Sequence, residues 1–325
     1  MKYVQLGRSG LTVSAICLGG NSWGAAGRRE WGAVDAAGSR PFFNAALDAG
    51  INFFDTADAY NHGDSESVMG SELIPLAPRD DLVISTKIGI PMSGKPNDGG
   101  LGRKHLMKSI DAALKRLKTD YVDLLQVHRL DSHTPLVETM RALDDMVRAG
   151  KVRYIGGSTM PAYKFAQMIA LADRYDLARP IAMQNLYNLV QREEEREMLR
   201  LCAEEGVGAI PYSPLARGFL AGNRSRDGGG ETERAKTDKA ARGLYRPADF
   251  DVVDQVVALA RRRGVRPTQI ALAWLLHKPV VSAPIIGATK PEYIAEAAAA
   301  TEIALSVDEI ASLEAPYAFG PAPMN

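Results

Sequence analysis

The sequence predicts a (β/α)8 TIM barrel with an N-terminal β-hairpin and long loops at its C-terminal face. Two observations carry that expectation. Apolar, strand-like runs alternate with helical periods eight times, which implies a parallel sheet that eight units can close into a barrel. Helical segments also end repeatedly on a glycine that leads into the next strand: Gly50 before Ile51-Asn-Phe-Phe, Gly150 before Val152-Arg-Tyr-Ile, and Gly206 before Val207-Gly-Ala-Ile. Glycine suits the left-handed residue that closes a helix, so each marks a helix-to-strand junction.

Taken in order, residues 2–14 read as a hairpin ahead of the barrel. Barrel strands are expected at Ala15–Leu18, Ile51–Asp55, Leu82–Lys87, Val122–His128, Val152–Gly156, Ile181–Gln184, Gly208–Tyr212 and Ser282–Ile286. Helices are expected between them at Arg40–Ala49, Glu66–Leu76, Lys104–Leu117, Leu136–Ala149, Ala162–Tyr175, Glu193–Glu205 and Thr268–Leu276, with Pro291–Ala300 after the last strand. Right-handed crossovers place every helix outside. A loop of about thirty-five residues follows Tyr212 and holds Gly228-Gly229-Gly230; loops of that length are functional or disordered. One more helix and a tail, Pro321–Asn325, follow Ala304, and residues 1–325 read as a single domain.

Composition is that of an ordinary soluble globular chain: 325 residues, 46% hydrophobic and 24% charged. Lys+Arg and Asp+Glu are both 39, so neither nucleic acid nor an acidic membrane surface is an expected partner. The basic run Arg261-Arg262-Arg263 reads as the solvated face of a helix. Cys17 and Cys202 read as buried free thiols of a reducing compartment. No signal-peptide pattern opens the chain and no apolar run is long enough to span a bilayer, which points to the cytoplasm.

Three successive strands finish in an ionisable residue: Asp55, Lys87 and His128, with Tyr60 five residues past the first. Packing alone gives no reason for that. Active sites of such barrels lie at the C-terminal strand ends, and neighbouring strands run roughly 4.8 Å apart, so the three would stand side by side under Tyr60. Tyrosine, with a reference pKa of about 10, needs help to exchange protons near neutrality. A lysine ammonium beside it stabilises the phenolate, an aspartate holds that lysine charged, and a histidine orients a carbonyl oxygen. The group lacks a nucleophile for the carbonyl carbon, and a bound hydride donor fits.

At these residues the chain resembles the aldo-keto reductases. The matching motifs are Asp55-Thr-Ala-Asp-Ala-Tyr60, Ser65-Glu66 with Gly70, Lys87, Arg116-Leu-Lys-Thr-Asp-Tyr-Val-Asp-Leu-Leu-Gln-Val-His128, Gln184-Asn-Leu-Tyr-Asn188 and Tyr212-Ser-Pro-Leu-Ala-Arg-Gly218. They occur in family order from residue 3 to about 315. The resemblance implies an NADPH-dependent reductase of aldehydes or ketones. Tyr60 is then the general acid, Lys87 and Asp55 tune it, and His128 directs the carbonyl.

The resemblance also implies a cofactor site without a Rossmann fingerprint, and no strand here is followed by Gly-x-Gly-x-x-Gly. Ser158 and Gln184 would hold the nicotinamide carboxamide, Tyr212 would stack under the ring, and Gly20 and Asn21 would border the cofactor. Ser213, Pro214, Leu215, Arg217 and Gly218 would clamp the pyrophosphate. Gly287, Thr289 and Lys290 would meet the adenosine 2′-phosphate, favouring NADPH over NADH, and Glu296 would meet adenine. Thr159, Tyr293 and Ala297 depart from the family pattern, and Ala297 removes one adenine contact.

Other polar and aromatic residues read more plainly. Asp58 reads as a helix cap. His62, His105, His133 and His277 have no paired metal spacing and read as surface or packing residues, although His62 is near enough to Tyr60 to line a pocket. Trp23 reads as core or as pocket wall, Trp31 as a weaker pocket candidate, Trp274 as core, and Tyr187 as either. With His62 and Trp23, Arg129 completes the expected substrate pocket, whose loops run around Trp23–Trp31, Pro91–Gly100, Arg129–His133 and 219–247. Aldehydes, sugars, keto steroids and bulky ketones are all admissible small-molecule substrates. Two other readings compete. One is a redox-sensing NADP(H)-binding regulatory subunit with slow turnover, which an extended N-terminal inactivation segment would mark. The other is a metal-dependent barrel hydrolase, which needs a His-x-His or carboxylate cluster at strand ends; no metal ligands are expected.

Overall fold

A computed structural model describes residues 1–24, 34–226 and 245–319. The hairpin pairs β1 (Tyr3–Gln5) antiparallel with β2 (Thr12–Ser14), Tyr3 opposite Ser14. Eight strands then form one parallel sheet: β3 (Cys17–Gly19), β4 (Phe53–Asp55), β5 (Val83–Ile88), β6 (Val122–Val127), β7 (Val152–Ser158), β8 (Pro180–Gln184), β9 (Gly208–Ala209) and β10 (Ile285–Ile286), with β10 beside β3. The barrel closes between its last two strands. Ala209 bridges Val281, Tyr212 bridges Ile285, and the Ile285 N–H donates to the Pro211 carbonyl at 2.8 Å.

The junction glycines are left-handed as expected: Gly50 at φ 77°, Gly150 at 74° and Gly206 at 72°. Helices Ala36–Asp48, Arg103–Leu117, Leu136–Arg148, Ala162–Tyr175, Met198–Glu205, Pro267–Leu276 and Glu292–Ala299 lie close to their expected bounds. The second expected helix is not continuous. An α turn at Asp64–Val68 passes into a π turn at Met69–Leu73 and a 3-10 turn at Ile74–Leu76, where Pro75 withholds an N–H. The sixth begins as a separate 3-10 turn, Glu193–Glu195. The Arg261–Arg263 run closes a helix Asp249–Arg263, and Val307–Glu314 is the expected last helix, opened by a Ser306/Glu309 capping box. Residues 227–244 of the long loop, the segment holding Trp31, and the tail 321–325 lie outside the described residues.

Two apolar layers set the site's position. Between strands and helices, Leu18, Phe54, Ile84, Leu125 and Ile155 belong to the main core. Inside the barrel, Cys17, Phe53, Val83, Leu124, Ala182 and Ile210 pack on Leu6 and Val13 of the hairpin. The hairpin thus plugs the N-terminal end and leaves the C-terminal mouth for chemistry. Cys17 and Cys202 are free and buried. Among the described residues, no helix is long and apolar enough to cross a membrane.

Candidate active site

Inward-facing positions on a strand recur every second residue. Two residues above the apolar floor of Phe53, Val83, Leu124 and Ala182 stand Asp55, Ser85, Gln126 and Gln184; one step higher come Lys87 and His128. The barrel interior therefore turns from apolar to polar in a single layer.

Lys87 is fully buried, and its ammonium has three named acceptors. They are Asp55 Oδ2 at 2.6 Å, the Thr56 carbonyl at 2.8 Å and the Tyr60 hydroxyl oxygen at 3.3 Å. An ammonium has three protons to give, so this set suits the charged form. Burial opposes the charge, but the Asp55 carboxylate and Tyr60 outweigh it and hold the Lys87 pKa above its usual value. The other Asp55 oxygen, Oδ1, accepts from Ser85 Oγ at 3.2 Å, Gln126 Nε2 at 3.2 Å and Gln184 Nε2 at 3.1 Å. Four donors on one buried carboxylate offset the desolvation that otherwise makes such pairs costly.

His128 lies edge-on to Tyr60, ring centroids 5.7 Å apart. Burial, then the charges of Lys87 and Arg129, push its pKa down to about 3, so the imidazole is neutral. Its buried Nδ1 has no hydrogen-bond partner among the described residues. An unpaired lone pair there is less costly than an unpaired N–H, so the proton belongs on Nε2.

The loop carrying Tyr60 is strained. Asn61 (φ 50°), His62 (φ 55°) and Gly63 (φ 90°) are all left-handed, on the order of 1 kcal/mol for each non-glycine residue. Side-chain bonds hold the surroundings in place. Asn61 Nδ2 donates to the Trp23 carbonyl at 2.5 Å, and the Ser65 hydroxyl to the Gly20 carbonyl at 2.6 Å. Glu66, fully buried, accepts from Thr86 Oγ1 at 2.6 Å and Arg116 Nε at 2.7 Å. The motif residues Ser65 and Glu66 are thus struts of the Tyr60 loop.

The remaining expected residues divide between the core and the exposed surface. Trp23 is 1% exposed and packs its ring against Phe43 at 4.4 Å, so it belongs to the core and offers no pocket wall. Gly20 is enclosed: a Cβ there would stand 2.9 Å from Ser65 Oγ and 3.1 Å from the Asp55 carbonyl. Asn21, His62 and Arg129 are exposed. Asp58 caps nothing; the turn after it has Ala59 as N-cap with no side-chain cap bond. Asp58 is instead 1% exposed. Burial, then the Glu66 charge, raises its pKa to about 7 against the pull of the Ala59 backbone N–H, Arg116 and Lys87. Tyr187 is core, its ring tilted against Trp274 with centroids 5.3 Å apart, and it donates to Glu195 Oε1 at 2.6 Å. His105 is buried beside Ser109, and His133 is exposed.

Around the mouth, Ser158 ends β7 with its hydroxyl 3.3 Å from Thr159 Oγ1, and Thr159 Oγ1 donates to Tyr212 OH at 3.5 Å. Ser213, Ala216, Arg217 and Gly218 all have positive φ, between 48° and 88°. A step from a right-handed residue, here Leu215 at φ −100°, to a left-handed one, here Ala216 at φ 48°, turns successive backbone N–H groups toward one concave side, a device for anions. Pro214 and Leu215 lie within that run, and Asn188 Nδ2 braces it through the Ser213 carbonyl at 3.0 Å. Gly287 has open space where a Cβ would be, and Thr289 and Lys290 beyond it are exposed. The Glu296 carboxylate is paired with Arg266 at 3.2 Å, and Ala297 is buried. Among the described residues, no three His, Cys, Asp or Glu side chains are grouped to hold a metal ion.

The comparisons agree with this geometry. The Aldo/keto reductase family model matches residues 15–318. A versiconal hemiacetal acetate reductase from Aspergillus parasiticus is 40% identical, over 98% of this chain and 97% of its own. A putative aryl-alcohol dehydrogenase from Schizosaccharomyces pombe is 41% identical over 97% of this chain and 95% of its own, and an aldo-keto reductase from Alternaria alternata 40% identical over 97% and 91%. The chain belongs to the aldo/keto reductase family. It is an NADP(H)-dependent oxidoreductase on an eight-stranded barrel, acting on small molecules.

Two residues of the site were not singled out from the sequence, Ser85 and Gln126. Both carried a usable signal. Each is a polar residue two positions before Lys87 or His128, so it shares the inward face of the same strand.

Proposed function

We propose that this enzyme reduces an aldehyde or ketone to the alcohol, with Tyr60 as the proton donor. The observation that carries the reading is the Lys87 ammonium, fully buried, paired with Asp55 and within 3.3 Å of the Tyr60 oxygen. A full positive charge beside a phenol favours its phenolate and so its release of a proton. His128, neutral with a proton on Nε2, donates a hydrogen bond to the substrate oxygen and sets which lone pair faces Tyr60. Asp55 keeps Lys87 charged through the cycle. The proton lost by Tyr60 is replaced from solvent.

The mouth residues fit NADPH. Ser158 and Gln184 offer hydroxyl and amide groups to a carboxamide, and half-buried Tyr212 offers an aromatic face. The segment 213–218, with its four left-handed residues, suits a pyrophosphate, and Thr289 with the exposed Lys290 suits a 2′-phosphate. When bound, NADPH supplies the hydride that goes to the carbonyl carbon. Gly20 and Asn21 border this site in our reading, and His62 and Arg129 stand at its exposed edge. Glu296, already paired with Arg266, adds little to adenine recognition.

The names of the relatives point to aromatic and bulky substrates: an aryl alcohol for one, a hemiacetal acetate for another. Aromatic aldehydes and bulky ketones are therefore the first substrates to try. The experiment is NADPH oxidation against a panel of aromatic aldehydes, sugars and keto steroids, with NADH as control. Turnover of aromatic aldehydes ahead of sugars is expected; no NADPH-dependent turnover of any carbonyl contradicts the reading.

A further inference from the structure

Below the mouth lies a chain of amides that proton donation by Tyr60 does not require. Asp55, Gln126 and Gln184 come from β4, β6 and β8, and each is 2% exposed or less. Gln126 Nε2 donates to Asp55 Oδ1 at 3.2 Å and to Ser85 Oγ at 2.8 Å. Gln184 Nε2 donates to Asp55 Oδ1 at 3.1 Å and to Gln126 Oε1 at 3.4 Å.

A glutamine amide can be turned over at little cost unless its partners are of one kind. Here they are. An ionised carboxylate only accepts, so Gln126 must present its NH2 end to Asp55, which leaves its carbonyl for Gln184. Gln184 then meets two acceptors, the Asp55 carboxylate and the Gln126 carbonyl, and must present its own NH2 to both. The polarity of the chain is fixed by the one charge at its foot, and a reversed amide would face oxygen against oxygen in a dry interior.

We propose that Gln126 is a positioning residue which, with Asp55, locks the Gln184 amide so that its carbonyl oxygen serves the cofactor. Gln184 then accepts from the N–H of a primary carboxamide and gives nothing to a carbonyl in that place. This rests on the cofactor reading given above and adds to it a direction: the site selects a nicotinamide bearing an N–H. The same Asp55 that holds Lys87 also sets cofactor recognition, through bonds on its other oxygen.

The test is calorimetric binding of NADPH and of its reduced 3-acetylpyridine analogue, which keeps the ring carbonyl and lacks the N–H. One hydrogen bond left unmade corresponds to about tenfold weaker binding, so the wild type should bind the analogue about tenfold more weakly. Gln126→Met removes one anchor and should narrow that ratio to about threefold. Asp55→Asn/Gln126→Met removes both and should abolish it, because the Gln184 amide can then turn to serve either ligand. A purely structural Gln126 would weaken both ligands alike and leave the ratio unchanged. Equal binding of the two by the wild type, or an unchanged ratio in Gln126→Met, overturns the proposal. Where Gln126→Met does not fold, Gln126→Asn, whose shorter amide cannot reach both partners, is read in the same way. Failure of the wild type to bind NADPH at all sinks the cofactor reading with it, whereas binding without discrimination sinks only this inference.

Discussion

Lys87 Nζ stands 2.6 Å from Asp55 Oδ2 inside the barrel, both side chains at most 3% exposed. A charge pair so dry costs most when it is half removed. Lys87→Met strands the Asp55 carboxylate and is expected to destabilise the fold by about 3–5 kcal/mol. Asp55→Asn/Lys87→Met has no charge left to strand and should regain most of that loss. Urea denaturation of the variants measures both. Equal stability of the single and double variants would show that the pair is not electrostatically coupled.

Asp58 gives the fold a pH dependence of definite sign. Its carboxyl ionises near 7 in the folded protein, raised from 3.8 by burial and then by Glu66, while the Ala59 backbone N–H, Arg116 and Lys87 pull the other way. Between those values the folded state holds a proton that the unfolded state has released. The stabilising contribution is full below about pH 3.8 and is lost as pH rises through 7. Asp58→Asn should therefore gain stability over the wild type as pH rises from 4 to 8, by up to about 4 kcal/mol. Melting temperatures across that range are the check, and a constant difference would refute the assignment.

His128 acts with the opposite sign. Its pKa is lowered to about 3, so below its usual value of about 6.5 the unfolded chain takes up a proton that the folded one refuses. Stability contributed by His128 is full above 6.5 and falls progressively toward pH 3. His128→Gln should flatten the acid side of the stability curve, read by denaturation at pH 7 and pH 4.5. An acid slope as steep as that of the wild type would mean the imidazole is not held neutral.

Lys290 is exposed, and among the described residues its ion pair is with Glu292, at 3.9 Å. A contact so loose leaves its charge for a phosphate. Lys290→Ala should weaken NADPH binding about tenfold and leave NADH binding unchanged. Parallel loss for both cofactors would place the 2′-phosphate elsewhere.

Legibility in the sequence followed from how local each signal was. Helix-closing glycines and strand-end charges are local and came out where expected, as did the hairpin. The short strands did not keep their expected lengths: the regular ladder of Gly208–Tyr212 covers Gly208–Ala209, the Ile210 N–H still donates to the Met183 carbonyl at 2.9 Å, and pairing resumes at the Tyr212 bridge after Pro211, which has no N–H to give. The break of Glu66–Leu76 into α, π and 3-10 turns depends on how that segment packs on the Ala36–Asp48 and Arg103–Leu117 helices, which periodicity does not encode. Trp23 looked like a pocket wall from its loop position, but its ring turns down onto Phe43. Asp58 looked like a cap because its burial beside Glu66 is decided by tertiary packing. Gln126 needed the barrel closed before its partner on β8 could be seen.

In the proposed mechanism Tyr60 gives the proton. Tyr60→Phe removes one oxygen and keeps the ring that lies against His128. With NADPH and a saturating aromatic aldehyde, kcat should fall about 10²–10⁴-fold, while the dissociation constant for NADPH stays within about twofold. Turnover near the wild-type rate in Tyr60→Phe, with NADPH still bound, would contradict the account.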